Sequence, residues 1–303
     1  MRRRIYNLEF PSWCSQLHLA GYQFNRLPEY EERLKSLQHL AGGFSEFQTE
    51  PTTGQHAITA VVEHVGPEPR ATLEWSGSST TALWDILLLL SLFTRRDVFA
   101  EPLGDDASGA IIRDPQVYAH GGILRISIPY EPQLTDDPPI RYDIGFERGL
   151  NRAYDLMCSA DWRQRFRGGY FLFLANQAFR RQSLEASFIQ CWTIWEHLFS
   201  VHNDLWLSTK SIRALRAAEK IAFIFARYNL LVQVDDRSRS RLGFLSTIRH
   251  RLVHFGRFPD EENVRQDALL FIRLTEWIVA MTLDLQPSNA LNTQEDLEKF
   301  LSR

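Results

Sequence analysis

Residues 248–257 read Ile-Arg-His-Arg-Leu-Val-His-Phe-Gly-Arg and stand near the end of a long run of helix-forming sequence. These ten residues include three arginines and two histidines. Histidine, with an ordinary pKa of about 6.5, can accept or donate a proton near neutrality. Arginine stays protonated and presents a planar fork that matches a phosphate. The stretch therefore brings together two residue types that suit cleavage of a phosphodiester.

The spacing within the stretch limits how its side chains can cooperate. On an uninterrupted helix, Arg249 and His254 lie roughly 140° apart around the axis. Three arrangements remain open. The helix could end near Val253 with Gly256 as the break, the long arginine side chain could reach around it, or two copies of the stretch could meet across a dimer. His250 and His254 are four residues apart and share one face.

A zinc site built on the two histidines is disfavoured. A metalloprotease helix has the pattern H-E-x-x-H, in which the Glu beside the first ligand is the general base. Arg251 occupies that position, and a cation beside a dication is unfavourable. The three cysteines have no C-x-x-C spacing that could supply further ligands. We therefore predict neither a metal nor another cofactor.

Length and composition indicate two domains with a basic region in the second. The chain has 303 residues, of which 44% are hydrophobic, enough material for two cores. The formal net charge of -3 gives no support for nucleic-acid binding by the whole chain. Between residues 210 and 273, however, there are 13 Lys or Arg and 7 Asp or Glu, an excess of six positive charges. That region suits phosphate contacts.

The sequence predicts a soluble cytoplasmic protein that does not associate with a membrane. The scattered cysteines favour a reducing compartment over a disulfide framework. The basic residues 2–4 are followed by polar residues and Pro11, which is unlike a signal peptide. The apolar run 82–93 is shorter than the roughly 20 residues that span a bilayer, and it contains Asp85.

The first half of the chain predicts a mixed domain with no catalytic motif. Residues 1–27 are predicted to be irregular, and Gly and Ser at 76–79 indicate a turn. Periodicity and β-branched content predict helices at 28–41 and 80–94 and strands at 57–62, 71–75, 116–119 and 123–128. A cluster of Pro and Asp at 132–139 indicates the domain boundary, which gives an α+β domain at 1–138.

The second half, 139–303, is predicted to be almost wholly helical. Asp260-Glu261-Glu262 after Pro259 indicates a helix start, because acidic groups are stabilising there. Long helices with short connections imply an all-α bundle. The predicted helices cover 142–166, 170–203, 211–229, 237–254, 260–285 and 293–302.

The arrangement of Arg249, His250 and His254 resembles the R-polar-x3-H signature of the HEPN superfamily. Members of that superfamily are helical domains, many of them metal-independent endoribonucleases, and the resemblance implies a dimer. The pattern R-x4-H is short and common, so its context matters. Without that context, a helix end with solvated Arg and His placed favourably against the dipole explains the same residues.

Two further segments resemble ApeA-like HEPN proteins. Residues 82–96 form an apolar run ending in two arginines, similar to a segment found before the HEPN domain of those proteins. Residues 183–199 are similar to the helix that precedes the motif helix, with Glu185 and Glu196 recurring in an apolar background. The two C-terminal elements occur in the expected order, about fifty residues apart.

The resemblance implies that RNA is cleaved by attack of a 2′-hydroxyl, leaving a 2′,3′-cyclic phosphate. His254 would handle the proton and Arg249 the phosphate, with His250 at the third motif position. Glu196 is a candidate to orient His254 or Arg249, or is a surface acid. Lesser candidates for contacts with the RNA backbone are Arg251, Arg257 and Arg241.

Members of the superfamily act in phage defence, toxin systems and RNA processing. The resemblance therefore favours an antiviral or toxin-like role, with an unknown trigger acting on the N-terminal domain as sensor or regulator. Some members have lost catalysis. A non-catalytic HEPN-like module that dimerises or binds a ligand or RNA is thus the alternative.

Overall fold

A five-stranded antiparallel sheet near the N-terminus and a set of helices in the C-terminal half make up this computed structural model. It describes residues 2–6, 8, 10, 14–30, 32, 58–66, 74–75, 78–79, 82–94, 98–100, 141–142, 146–166, 170–179, 184–203, 206–230, 236–258, 263–285 and 287–288. Contacts divide the chain into two units, Met1–Ser159 and Ala160–Arg303. The predicted α+β class is confirmed, while the predicted boundary at 138/139 lies outside the described residues.

The first unit is built on its sheet. The strands lie in the order β2 (Gln16–Leu19), β3 (Tyr22–Arg26), β4 (Ile58–His64), β1 (Arg2–Tyr6) and β7 (Phe99–Ala100). The central strand β4 pairs antiparallel with both β1 and β3. Ala60, Val61 and Val62 of β4 are buried. The described strands of this unit are β1 (Arg2–Tyr6), β2 (Gln16–Leu19), β3 (Tyr22–Arg26), β4 (Ile58–His64), β5 (Glu74–Trp75), β6 (Ser78–Ser79), β7 (Phe99–Ala100) and β8 (Arg141–Tyr142).

The prediction that residues 1–27 are irregular is wrong, because three strands lie there. Leu17 and Leu19 are buried while the residues alternating with them are exposed, which is the period of a half-buried strand. Ala20 and Gly21 then take positive φ angles of 48° and 82°. Two such residues form the tight turn that matches the twist of a hairpin, so β2 and β3 pair directly.

Two helices are described in the first unit, α1 (Ala82–Thr94) and α2 (Phe146–Cys158). Most described side chains of α1 are buried, which confirms the prediction of a core helix. Helix α2 covers the edge strand β2. Asn151 donates to the His18 carbonyl at 2.7 Å, and Glu147 accepts from the His18 amide at 2.8 Å. These bonds satisfy backbone groups that an edge strand leaves unpaired.

The second unit is helical apart from β9 (Pro287–Ser288) within its described residues. Helix α5 (Leu184–Asn203) carries much of the aromatic core. It contacts α4 (Tyr170–Phe179), α7 (Ala217–Arg227), α8 (Asp236–Phe255) and α9 (Val264–Thr282). Trp192 packs on Phe271 at 4.8 Å between ring centroids, and Trp195 donates to the Thr275 hydroxyl at 2.9 Å. The helices are α3 (Ala160–Arg165), α4 (Tyr170–Phe179), α5 (Leu184–Asn203), α6 (Thr209–Ala214), α7 (Ala217–Arg227), α8 (Asp236–Phe255) and α9 (Val264–Thr282).

Several predicted elements match those of the structure, and other predicted helices are divided into two shorter ones. The predicted helices 80–94 and 237–254 correspond to α1 and α8, and the strand 57–62 corresponds to β4. The predicted helix 142–166 is interrupted at Ser159, and 211–229 divides into α6 and α7. The predicted strands 116–119 and 123–128 and helix 293–302 lie outside the described residues, as does most of helix 28–41.

Among the helices of the described ranges, none is both long enough and apolar enough to cross a membrane.

Candidate functional site

Helix α8 continues through His254 and ends at Phe255. Gly256 follows with a φ of +72°, and its amide donates to the Leu252 carbonyl at 2.8 Å. This left-handed glycine cap closes the last turn of the helix. The expected break at Gly256 is confirmed, but the helix runs two residues past Val253. Arg249 and His254 therefore lie on one continuous helix and are separated by roughly 140° around its axis.

Arg249 is held against helix α5 by two contacts. Its Nη1 donates to Glu196 Oε1 at 2.9 Å, and its guanidinium carbon lies 5.6 Å from the centroid of the Trp192 ring. The side chains of Arg249 and Glu196 are 32% and 41% exposed, so the pair borders solvent. Trp192 and Glu196 are four residues apart and present one face of α5. Glu196 therefore contacts Arg249, one of the two partners that the sequence suggested for it.

Glu185, the other acidic residue of that predicted helix, does not reach the pair. It lies eleven residues before Glu196, about 16 Å away along the helix axis.

His250 and His254 form a surface pair on α8. Both residues are exposed, and their ring centroids are 4.2 Å apart with an interplanar angle of 59°. Within the part of the chain that is described, no side chain donates to or accepts from either imidazole. His254 is therefore open to a ligand, and no side chain in the described ranges orients it.

The other predicted RNA contacts separate into two groups. Arg251 and Arg257 are exposed at the end of α8, near His254 in the chain. Arg241 lies earlier on the helix, in an ion pair with Asp267 of α9 in which both side chains are largely buried. Its guanidinium also lies 5.4 Å from the Phe244 ring centroid. The structure thus brings Arg251 and Arg257 to the candidate site and not Arg241.

Two residues at the site were not predicted as functional. Trp192 is buried in the core, but its ring also supports the Arg249 guanidinium. The four-residue spacing of Trp192 and Glu196 was the available signal. Phe255 is exposed at the end of α8, although an aromatic residue there would be expected in the core.

A second cluster of titratable groups in this unit surrounds His202. His202 Nε2 is 3.0 Å from the Tyr228 hydroxyl. Burial and then the charges of Arg227 and Arg165 lower the pKa of His202 to about 4, so its imidazole is neutral at pH 7. Burial raises the pKa of Tyr228 to about 12. This neutral pair packs at the C-terminal end of α5, away from Arg249.

Over the ranges that the structure describes, no three His, Cys, Asp or Glu side chains are grouped as a metal ion would require. No family model matches the chain, and neither a curated protein nor a solved structure matches it.

Proposed function

We propose that the C-terminal unit is a HEPN-type endoribonuclease that cleaves RNA without a metal ion. The observation that carries the proposal is the state of Arg249. Its guanidinium is oriented by Glu196 and Trp192, and the Arg249 side chain is 32% exposed to solvent. An arginine fixed in advance can stabilise charge that develops on a phosphate without reorganising during the reaction.

In the proposed reaction the 2′-hydroxyl attacks the adjacent phosphorus. His254 accepts the hydroxyl proton, a bond forms between the 2′-oxygen and phosphorus, and the bond from phosphorus to the 5′-oxygen breaks. The leaving 5′-oxygen takes a proton from water or from a second imidazole, such as His250. The products are a 2′,3′-cyclic phosphate and a 5′-hydroxyl, and Arg249 holds the phosphate throughout.

The proposed site is shared between two copies of the chain. Arg249 faces α5, while His254 lies roughly 140° around the helix from it, so one copy does not present both to one phosphate. A two-fold dimer through the helical unit would place Arg249 of each copy beside His254 of the other copy. Such a dimer would have two equivalent sites. A role in antiviral defence or as a toxin, with regulation by the first unit, belongs to the same proposal.

The experiment is cleavage of a mixed RNA pool in the presence of EDTA by the wild type, Arg249→Ala and His254→Ala. The proposal expects cleavage by the wild type and loss of it in both variants. Equal cleavage by all three proteins would refute the assignment of the site.

A second function is a non-catalytic RNA-binding or dimerising module. The observation that favours it is the absence, among the described residues, of a side chain that orients His254. In that case RNA would bind without cleavage, and His254→Ala would change affinity alone.

A further inference from the structure

The end of helix α8 displays an aromatic ring to solvent. Phe255 directly follows His254 and is 74% exposed. In the described part of the chain its ring makes no aromatic or cation contact. Val253, two residues earlier, is exposed as well. Val253 and Phe255 lie about 200° apart around the helix axis, so they are two separate exposed side chains and do not form one apolar patch.

The backbone that carries this ring is fixed on both sides. On one side stands the last turn of α8, closed by the Gly256 cap. On the other side Phe258 is buried and packs against Phe188 of α5, with ring centroids 5.8 Å apart and an interplanar angle of 70°. The backbone of Phe255 is therefore held at a set position at the end of α8, from which its ring extends into solvent.

Positively charged residues flank Phe255 in the sequence between residues 249 and 257, and acidic residues follow at 260–262. Residues 249–257 contain three arginines and two histidines and no acidic residue. Arg251 lies one turn before Phe255 on the same face of the helix, and Arg257 follows it by two residues. A ligand that matches this surface is a polyanion with flat apolar groups. Single-stranded RNA has both properties, because its unpaired bases stack on aromatic rings while its phosphates attract arginine.

We infer that Phe255 is a stacking platform for an unpaired base of the RNA next to the cleaved phosphate. The inference rests on the proposed nuclease function of the same site. A phosphate held at His254 places the neighbouring nucleotide beside the next residue of the helix. A base in a duplex is stacked on both faces and is not available to the ring, so paired RNA would gain nothing from Phe255.

The test is a binding titration with an RNA that cannot be cleaved. The probe is a fluorescein-labelled 12-nucleotide strand with 2′-fluoro sugars, used alone and annealed to its complement. Loss of one stacked base should weaken binding of the single strand to Phe255→Ala about 5- to 150-fold. Phe255→Trp should retain the affinity. Binding of the duplex should be the same for all proteins.

Trp206→Ala is the matched control. Trp206 is also an exposed aromatic residue of the second unit, at 65% exposure. Helices α5 and α8 run antiparallel, because Arg249 contacts Glu196 whereas Phe258 contacts Phe188. Trp206 follows the other end of α5, whose axis extends about 22 Å beyond Phe188. Its removal should leave the affinity for the single strand unchanged.

Three outcomes would overturn the inference. The first is that Phe255→Ala binds the single strand with wild-type affinity. The second is that Phe255→Ala loses the same affinity for the single strand and for the duplex. The third is a change of oligomeric mass in Phe255→Ala, which would make the ring an interface between copies. Failure of the nuclease proposal can be distinguished from failure of the stacking inference. A single strand that binds through Phe255 but is not cleaved as ordinary RNA refutes cleavage alone, whereas cleavage unaffected by Phe255→Ala refutes stacking alone.

Discussion

Two inactive variants should restore activity when they are combined in one dimer. Arg249→Ala retains His254, and His254→Ala retains Arg249. In a two-fold dimer with shared sites, the mixed dimer contains one site with both residues intact and one site with both replaced. Variants that fail separately would then complement each other. The expectation follows from the separation of roughly 140° between the two residues on one continuous helix.

The size of the recovery follows from counting sites. Random exchange makes about half of all dimers mixed, and each mixed dimer has one working site of two, so about a quarter of wild-type activity returns. Mixed dimers purified through two different affinity tags should reach about half. The assay is cleavage of labelled single-stranded RNA in EDTA at equal protein concentration.

The control pairs Arg249→Ala with the double variant Arg249→Ala/His254→Ala. No site in that mixture has an arginine at position 249, so no activity should return. Purified mixed dimers of the two single variants that stay inactive would refute the shared site, since each contains one complete set of residues.

Three further predictions concern groups around the site. Glu196→Gln removes the charge that orients Arg249; because the pair is partly exposed, urea unfolding should show a loss of at most about 1 kcal/mol, while kcat should fall about 10- to 100-fold through misplacement of the guanidinium. Arg241→Ala leaves Asp267 without its partner in a largely buried pair, so the free energy of unfolding should fall by about 3–5 kcal/mol. The RNA affinity of the folded variant should be unchanged, because Arg241 lies away from the site. The pKa of His202 is lowered from 6.5 to about 4 in the folded protein, so the unfolded chain protonates this imidazole first as pH falls. The free energy of unfolding should therefore decrease as pH falls from 6.5 to 4. Thermal unfolding of His202→Gln should lack this part of the pH dependence.

The helical half follows from the sequence more closely than the first half does. Apolar residues recur along 237–254 at helical spacing, and α8 occupies Asp236–Phe255 with Leu242, Leu245, Ile248 and Leu252 buried. Longer predicted helices divide because periodicity alone does not show a short interruption. At Ser159 the chain stops one helix and begins another with little change in apolar pattern.

The N-terminal hairpin was predictable from a signal that is easy to miss. Leu17 and Leu19 alternate with polar residues, and Ala20-Gly21 lies between that segment and another with Tyr22 and Phe24. An Asn-Gly or Asp-Gly pair would have marked the turn, whereas alanine at positive φ is uncommon. The strand β1 carries three consecutive arginines, which obscure the strand preference of Ile5 and Tyr6.

Arg249, His254 and Glu196 could be named as candidates from the sequence, whereas their contacts could not. Glu196 lies 53 residues before Arg249, and no local pattern indicates which of two basic groups it contacts. The orientation of α8 decides this, because Arg249 faces α5 while His254 faces solvent. Arg241 was a candidate for a contact with RNA, and the structure shows it in a different contact. Its charge suited a phosphate, but Asp267 on α9 provides a buried partner that sequence spacing does not reveal.

The ends of the RNA products provide the most direct test of the central claim. A single-stranded oligonucleotide of defined sequence is incubated with the wild type in EDTA, and the fragments are weighed by mass spectrometry, with His254→Ala as control. The account predicts fragments that end in a 2′,3′-cyclic phosphate and begin with a 5′-hydroxyl, and none with the variant. Fragments with a 3′-hydroxyl and a 5′-phosphate, or the same fragments from His254→Ala, would contradict it.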